Sequence, residues 1–107
     1  MSDSIVKGIS KETIDEWKTK YGDLLMVTLG DEQYVYRSMK RFEYKTIMSN
    51  PDANRSFNEE KIIQMCVLHP QFDQARIHIS KAGTVSTLVE LIMAASNFGI
   101  NEEPVKL

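Results

Sequence analysis

The sequence predicts an α+β fold in which a short β-hairpin packs against about four helices, giving one helix-dominated domain. A length of 107 residues suits a single domain, with 42% hydrophobic and 26% charged residues as in ordinary globular chains. Two β-prone runs flank Gly30-Asp31, and most other segments carry apolar residues at helical spacing. We expect the domain to cover residues 10–100, between a flexible N-terminus (residues 1–9) and a frayed tail (residues 101–107).

The first helix is predicted from its capping signals and its apolar spacing. Ser10 or Thr13 is the expected N-cap, and the segment Thr13–Glu16 matches the capping-box pattern. Apolar side chains then recur three and four residues apart, and Gly22 supplies a left-handed stop. The apolar residues of this helix are Ile14, Trp17 and Tyr21.

The hairpin is predicted from two β-prone runs joined by the tight turn Gly30-Asp31. Alternation in the second strand places Tyr34 and Tyr36 on one face of the sheet and Val35 and Arg37 on the other. Because an isolated two-stranded hairpin is marginal in water, we expect it to pack against the helices or against another chain.

Two helices are predicted in the middle of the chain. Ser38 is the expected cap of a helix over residues 39–48. The segment Ser56–Glu59 matches a second capping box, and the helix that it opens ends at His69-Pro70. The apolar stripe of the former helix is Met39, Phe42 and Ile47, and that of the latter is Ile62, Ile63, Cys66 and Val67.

The last third of the chain is predicted to contain one strong helix. Arg76–Ile79 alternates in polarity, which fits either a short third strand or an extended connection. Thr84 is the expected cap of the final helix, which ends in a Schellman motif with Gly99 at C′ and Ile100 folded back. The apolar stripe of this helix is Val85, Leu88, Val89 and Ile92.

Three residues could carry metal or nucleophilic chemistry, namely Cys66, His69 and His78. A structural zinc site needs four ligands, and no second Cys or His pair completes the set. Cys66 lies on an apolar stripe, where a reduced cysteine packs as a small hydrophobe, and late in its helix, where the dipole opposes a thiolate. We therefore expect no catalytic site, no metal and no cofactor.

Charge and composition limit the classes of partner. The formal net charge is −2, with 13 basic and 15 acidic residues and no long block of like charge, so nucleic-acid binding is disfavoured. A single cysteine, a polar N-terminus and the lack of a long apolar stretch predict a cytoplasmic protein that does not contact a membrane.

The segment Tyr34–Tyr44 concentrates three Tyr, one Phe, two Arg and one Lys. Tyr and Arg are enriched at protein-binding hot spots, although interleaved aromatic and basic residues also suit single-stranded nucleic acid. We expect Phe42 and one tyrosine to belong to the core and the remainder to form a protein-binding face. The candidate partner-binding residues are Tyr34, Tyr36, Arg37, Lys40, Arg41 and Tyr44.

Several short motifs also carry a resemblance. These motifs are Glu16-Trp17-Lys18, Tyr21-Gly22-Asp23, the Tyr34–Tyr44 segment, Cys66–Pro70, Ala82-Gly83-Thr84 and Ser96–Gly99. Their layout resembles a group of small tailed-bacteriophage proteins that are encoded among tail and baseplate genes. Members are described as tail assembly chaperones or baseplate hub assembly proteins.

The resemblance implies a protein that holds an aggregation-prone tail component or nucleates hub assembly without catalysis. Its partners would be other tail or baseplate proteins, and it would act in the host cytoplasm during infection. Incorporation into the virion and formation of a homo-oligomer remain open. The alternative is a small phage regulator or inhibitor that binds nucleic acid or a host defence protein through a basic patch. That patch would consist of Arg37, Lys40, Arg41 and Lys45.

Overall fold

The computed structural model describes residues 6, 8–99 and 104–107. Within these residues the chain forms five helices and a three-stranded antiparallel sheet, which confirms the predicted α+β class. None of the described helices has both the length and the apolar character needed to cross a bilayer. In chain order the elements are α1 (Lys11–Tyr21), β1 (Leu24–Leu29), β2 (Glu32–Arg37), α2 (Arg41–Met48), α3 (Arg55–Cys66), β3 (Val67–His69), α4 (Gln74–Ile79) and α5 (Ala82–Ala95).

The predicted hairpin is confirmed as β1 and β2. The two strands pair antiparallel in unbroken register from Leu24 opposite Arg37 to Leu29 opposite Glu32. Gly30 has a φ of 63°, which a residue without a Cβ adopts without strain at the first position of a two-residue hairpin turn. The turn therefore fixes the register of the hairpin.

The third strand is β3, which the sequence interpretation had placed inside a helix. The chain leaves α3 at Cys66 and pairs directly with β2, so that Val35 lies opposite His69.

Arg76–Ile79, which the sequence pattern predicted to be a strand or an extended connection, instead belongs to the short helix α4. Asp73 caps this helix, since its Oδ1 accepts from the backbone N–H of Arg76 at 2.8 Å.

Two of the helix starts test the predicted caps. At α1 the Ser10 side chain accepts from the backbone N–H of Thr13 at 3.2 Å, so Ser10 is the cap and not Thr13. At α3 the cap is Asn54 rather than Ser56, because the Asn54 side chain accepts from the N–H of Phe57 at 2.8 Å. Both caps are short polar side chains immediately before the first turn.

The two ends of α5 also differ from the prediction. The helix begins at Ala82, ahead of the expected cap Thr84. A Schellman motif is present, but its left-handed residue is Asn97, with a φ of 70°, and the N–H of Phe98 donates to the carbonyl of Met93 at 2.9 Å. The motif thus falls two residues earlier than predicted, and Ile100 lies outside the described residues.

The core has two parts, one on each face of the sheet. The larger part joins the tyrosine face of β2 to α2, α3 and α5. The smaller part packs Val6 and Ile9 against Val35 with support from α1, so these two residues are buried although residues 1–9 were expected to be flexible. Residues 1–5, 7 and 100–103 lie outside the described part, and residues 104–107 are exposed. The buried residues of the larger part are Tyr34, Tyr36, Met39, Ile47, Ile62, Ile63, Cys66, Val67, Phe72, Leu88, Val89 and Ile92.

Candidate protein-binding site

The Tyr34–Tyr44 segment begins in the middle strand of the sheet, and this position buries two of its tyrosines. Tyr34 and Tyr36 point from β2 into the larger core. The Tyr34 ring stacks on Phe72 with centroids 5.9 Å apart, and its hydroxyl donates to Glu32 at 2.9 Å. Burial raises the pKa of both tyrosines. The expectation that they lie on an accessible face is therefore wrong.

Arg37 is also an interior residue, with only 6% of its surface exposed. Its guanidinium makes a bidentate ion pair with Glu43, with nitrogen–oxygen distances of 2.9 and 3.0 Å. It also donates to the carbonyls of Ser38 at 3.1 Å and Met65 at 3.3 Å, and it lies 4.7 Å from the centroid of the Tyr21 ring. Arg37 thus links β2 to α1, α2 and α3. Its predicted place among the accessible binding residues is therefore wrong.

Glu43 serves both this ion pair and the start of α2. Its Oε1 accepts from Arg37 Nη1 and from the backbone N–H of Lys40, each at 2.9 Å. The hydrogen bond from Arg37 lowers the pKa of Glu43, against the opposing effect of burial. Helix α2 therefore starts at Arg41, two residues after the predicted start at Met39.

The later start of α2 changes which side chains face outward. Counted from Arg41, the inward positions are Glu43, Tyr44 and Ile47. Tyr44 is half-buried against Phe98, with ring centroids 4.9 Å apart. Met39, predicted to lie within the helix, instead precedes it and is buried.

The exposed part of the segment is a basic and aromatic surface that we call the α2 outer face, defined as Lys40, Arg41, Phe42 and Lys45. Phe42 was assigned to the core, but it is 66% exposed. The Arg41 guanidinium lies 5.4 Å from the centroid of the Tyr44 ring, which restrains its position. The one acidic residue of α2, Glu43, points inward and pairs with Arg37, so the charged side chains of the outer face are all positive.

Of the six candidate binding residues, the structure thus brings Lys40 and Arg41 to the surface, with Tyr44 half-exposed beside them. It adds Phe42, which was predicted to be core, and Lys45, which was predicted only for the alternative basic patch. The signal that could have identified Phe42 is the spacing Lys40-x-x-Glu43, because a glutamate three residues after the cap marks the first turn of a helix.

A shallow groove of about 640 Å³ opens beside this helix, between α2, α3 and α5. Its apolar wall includes Met48, Ile62 and Met93. Asn58 also lines it, with a buried Oδ1 that has no hydrogen-bond partner among the described residues and an Nδ2 that lies 3.6 Å from Met48 Sδ.

Cys66 and the two histidines do not form a reactive cluster in the described part of the chain. Cys66 is fully buried, and burial raises the pKa of its thiol to about 11, so the thiol is protonated at neutral pH. His69 lies in β3, and His78 is exposed on α4. Among the described residues, no group of three or more His, Cys, Asp and Glu side chains is placed to hold a metal ion.

Comparison with known proteins adds no relative to this description. The chain matches no protein-family model, no curated protein and no solved structure.

Proposed function

We propose that this chain is a bacteriophage tail or baseplate assembly protein that acts by binding other proteins through the α2 outer face. The phage context rests on the resemblance of its short motifs. The binding surface rests on one observation, the 66% exposure of Phe42 among Lys40, Arg41 and Lys45. An exposed aromatic ring loses much hydration when covered, which is the behaviour of an interface anchor.

The charge on this face indicates the chemistry of the client. None of the three cations forms a salt bridge with the acidic residue of α2, since Glu43 pairs with Arg37. A client segment with carboxylates around an apolar side chain would place the apolar side chain on Phe42 and the carboxylates on the lysines. Such complementarity raises the rate of association and discriminates against basic partners.

The test is co-purification from cells that express the tail and baseplate genes of the phage that encodes this chain. Tagged wild-type protein should retain one or more of these components, and Phe42→Ala should reduce recovery roughly tenfold, as loss of a hot-spot ring does. Phe57→Ala is the matched control, because Phe57 is also exposed (41%) and also lies beside a lysine, with Lys61 Nζ 5.2 Å from its ring.

Two outcomes would contradict the proposal. Recovery of the wild-type protein alone, with no tail component bound, removes the proposed function. Equal losses in Phe42→Ala and Phe57→Ala remove the α2 outer face as the binding surface. A salt-sensitive shift of single-stranded DNA or RNA that Phe42→Ala abolishes would instead support the regulator or inhibitor alternative, now without Arg37, which is buried.

A further inference from the structure

Within the described residues, one edge of the sheet is open along its whole length. Strand order β1-β2-β3 places β1 at an edge, paired with β2 on one side. On its other side, no strand and no backbone group of the described chain bonds to β1. This edge belongs to a strand and the α2 outer face to a helix, so the edge carries an inference independent of the proposed function.

Strand β1 lacks the features that normally protect a sheet edge. Its six residues contain no charge and no proline, and its register with β2 runs without a bulge. Leu25 and Met26 are 39% and 41% exposed. Natural edges of this length usually carry a lysine, a proline or a bulge that prevents pairing with another strand. An unprotected apolar edge of six residues therefore favours addition of a strand.

The turn of the hairpin determines which backbone groups of β1 point outward. In a two-residue hairpin the residues that flank the turn, Leu29 and Glu32, exchange both of their hydrogen bonds. Alternation then directs the backbone groups of every second residue of β1 toward β2. The N–H and C=O groups of Leu24, Met26 and Thr28 are left facing the open edge.

We infer that the open edge of β1 pairs with β1 of a second copy of this chain, giving one continuous six-stranded sheet. A two-fold axis perpendicular to the sheet makes the two edge strands antiparallel and keeps each face on its own side. Only outward-facing backbone groups can bond across the axis. An even-numbered residue of one copy therefore lies opposite an even-numbered residue of the other, and an odd-numbered residue opposite an odd-numbered one. No like charges meet, because β1 has no charged side chain.

Two observations select the register centred on Met26. When Met26 lies opposite Met26 of the second copy, Leu24 lies opposite Thr28 of that copy. The outward-facing N–H and C=O groups of all three residues of β1 are then hydrogen-bonded. The next allowed register, centred on Val27, would instead place Asp23 opposite Asp31 of the second copy, and like charges in that position repel. Self-pairing of an uncharged strand in this register is the reason for choosing a second copy as the occupant.

The oligomeric state tests the inference directly. Size-exclusion chromatography with light scattering should give the mass of two chains at millimolar concentration. Met26→Lys should weaken dimerisation at least about tenfold, because it sets two lysines opposite each other at the axis. Met48→Lys is the matched control, since Met48 is equally exposed (39%) but lies on α2. A wild-type mass of one chain, or equal effects of the two substitutions, would overturn the inference.

Cysteine cross-linking tests the register. Residues in a hydrogen-bonded antiparallel pair have Cα atoms about 5.5 Å apart, which is within the range of a disulfide. Met26→Cys should therefore form a covalent dimer on mild oxidation, whereas Thr28→Cys, which faces Leu24 of the second copy, should not. The native Cys66 does not interfere because it is fully buried. Equal cross-linking of the two variants, or none in a dimeric sample, would contradict the Met26-centred register.

Discussion

The buried pair Arg37–Glu43 allows the most quantitative prediction. The side chains of Arg37 and Glu43 are 7% and 15% exposed, so solvent screens their interaction only weakly. Glu43→Ala removes both ion-pair hydrogen bonds and the acceptor of the Lys40 N–H. The guanidinium keeps its hydrogen bonds to the carbonyls of Ser38 and Met65 and its contact with the Tyr21 ring, and no carboxylate of the described residues remains paired with it.

Removal of one member of a buried ion pair typically costs about 3–5 kcal/mol, because a charge stays in the interior without its counter-charge. We expect Glu43→Ala to lower the free energy of unfolding by about that amount, out of a total of roughly 5–15 kcal/mol for a domain. Urea denaturation measures the loss as a lower midpoint with an unchanged slope. Glu90→Ala, at an exposed position of α5, should change stability by no more than about 0.5 kcal/mol.

A second variant separates loss of the pair from loss of packing. Arg37→Met combined with Glu43→Leu replaces both charges with apolar side chains, which is often neutral for a buried pair. We expect this double variant to be more stable than Glu43→Ala alone. If Glu43→Ala costs less than about 1 kcal/mol with the slope unchanged, Arg37 is not held as a buried charge and the reasoning fails.

Three further predictions concern acid stability, the thiol and the glycines. The pKa of Glu43 is lowered from its ordinary 4.5, so the stability it contributes is complete above that pH and is lost as the pH falls through the lower folded-state value; unfolding curves of the wild type and Glu43→Gln should converge there. Because burial raises the pKa of the Cys66 thiol to about 11, a disulfide reagent at pH 8 should react with it only after unfolding in urea, and rapid reaction of the native protein would contradict this. Gly30→Ala should destabilise the protein by roughly 1–2 kcal/mol, because φ is 63° at this position. Gly83→Ala lies in the first turn of α5 with open space at its Cβ position, so it should stabilise the protein by about 0.4–1 kcal/mol. Melting temperatures that shift in the same direction for both variants would refute the assignment of strain to Gly30.

Local signals were sufficient to predict the hairpin. The turn Gly30-Asp31 and the alternation around it involve neighbours in sequence, so the strand faces of Tyr34 and Val35 follow from the pleat alone. The caps were less certain because several polar residues precede each helix. Asn54 and Ser56 are both good caps, and only packing selects between them.

The sequence pattern did not predict pairing between strands that lie far apart in the sequence. Val67–His69 continues an apolar helical stripe, and its conversion into β3 depends on the partner strand β2, which lies about 30 residues away. Arg76–Ile79 shows the reverse error, since its alternation is too short to exclude a helix capped by Asp73.

The candidate site depended on one boundary. Starting α2 at Met39 turns Phe42 inward, whereas starting it at Arg41 turns Phe42 outward and brings Glu43 to Arg37. The spacing Lys40-x-x-Glu43 points to the later start, but a Lys in the cap position is unusual, which made this signal weak. The composition of the segment singled out a candidate region, but it did not identify which of its side chains are accessible.

Helix α2 is held from the far end of the described chain, and this has a consequence during synthesis. The Ser96 hydroxyl accepts from the backbone N–H of Met39 at 2.7 Å, and Phe98 packs on Tyr44. A growing chain that has emerged from the ribosome only as far as α4 has the Arg37–Glu43 pair and the packing on α3, but it lacks these two contacts from residues 96–98. Since chains are made at about 5–20 residues per second, the last contacts that fix α2 form seconds after its own residues have emerged, once residues 96–98 follow. A client that needs α2 in its final position would be bound more tightly after translation of α5 than by the nascent hairpin and α2 alone.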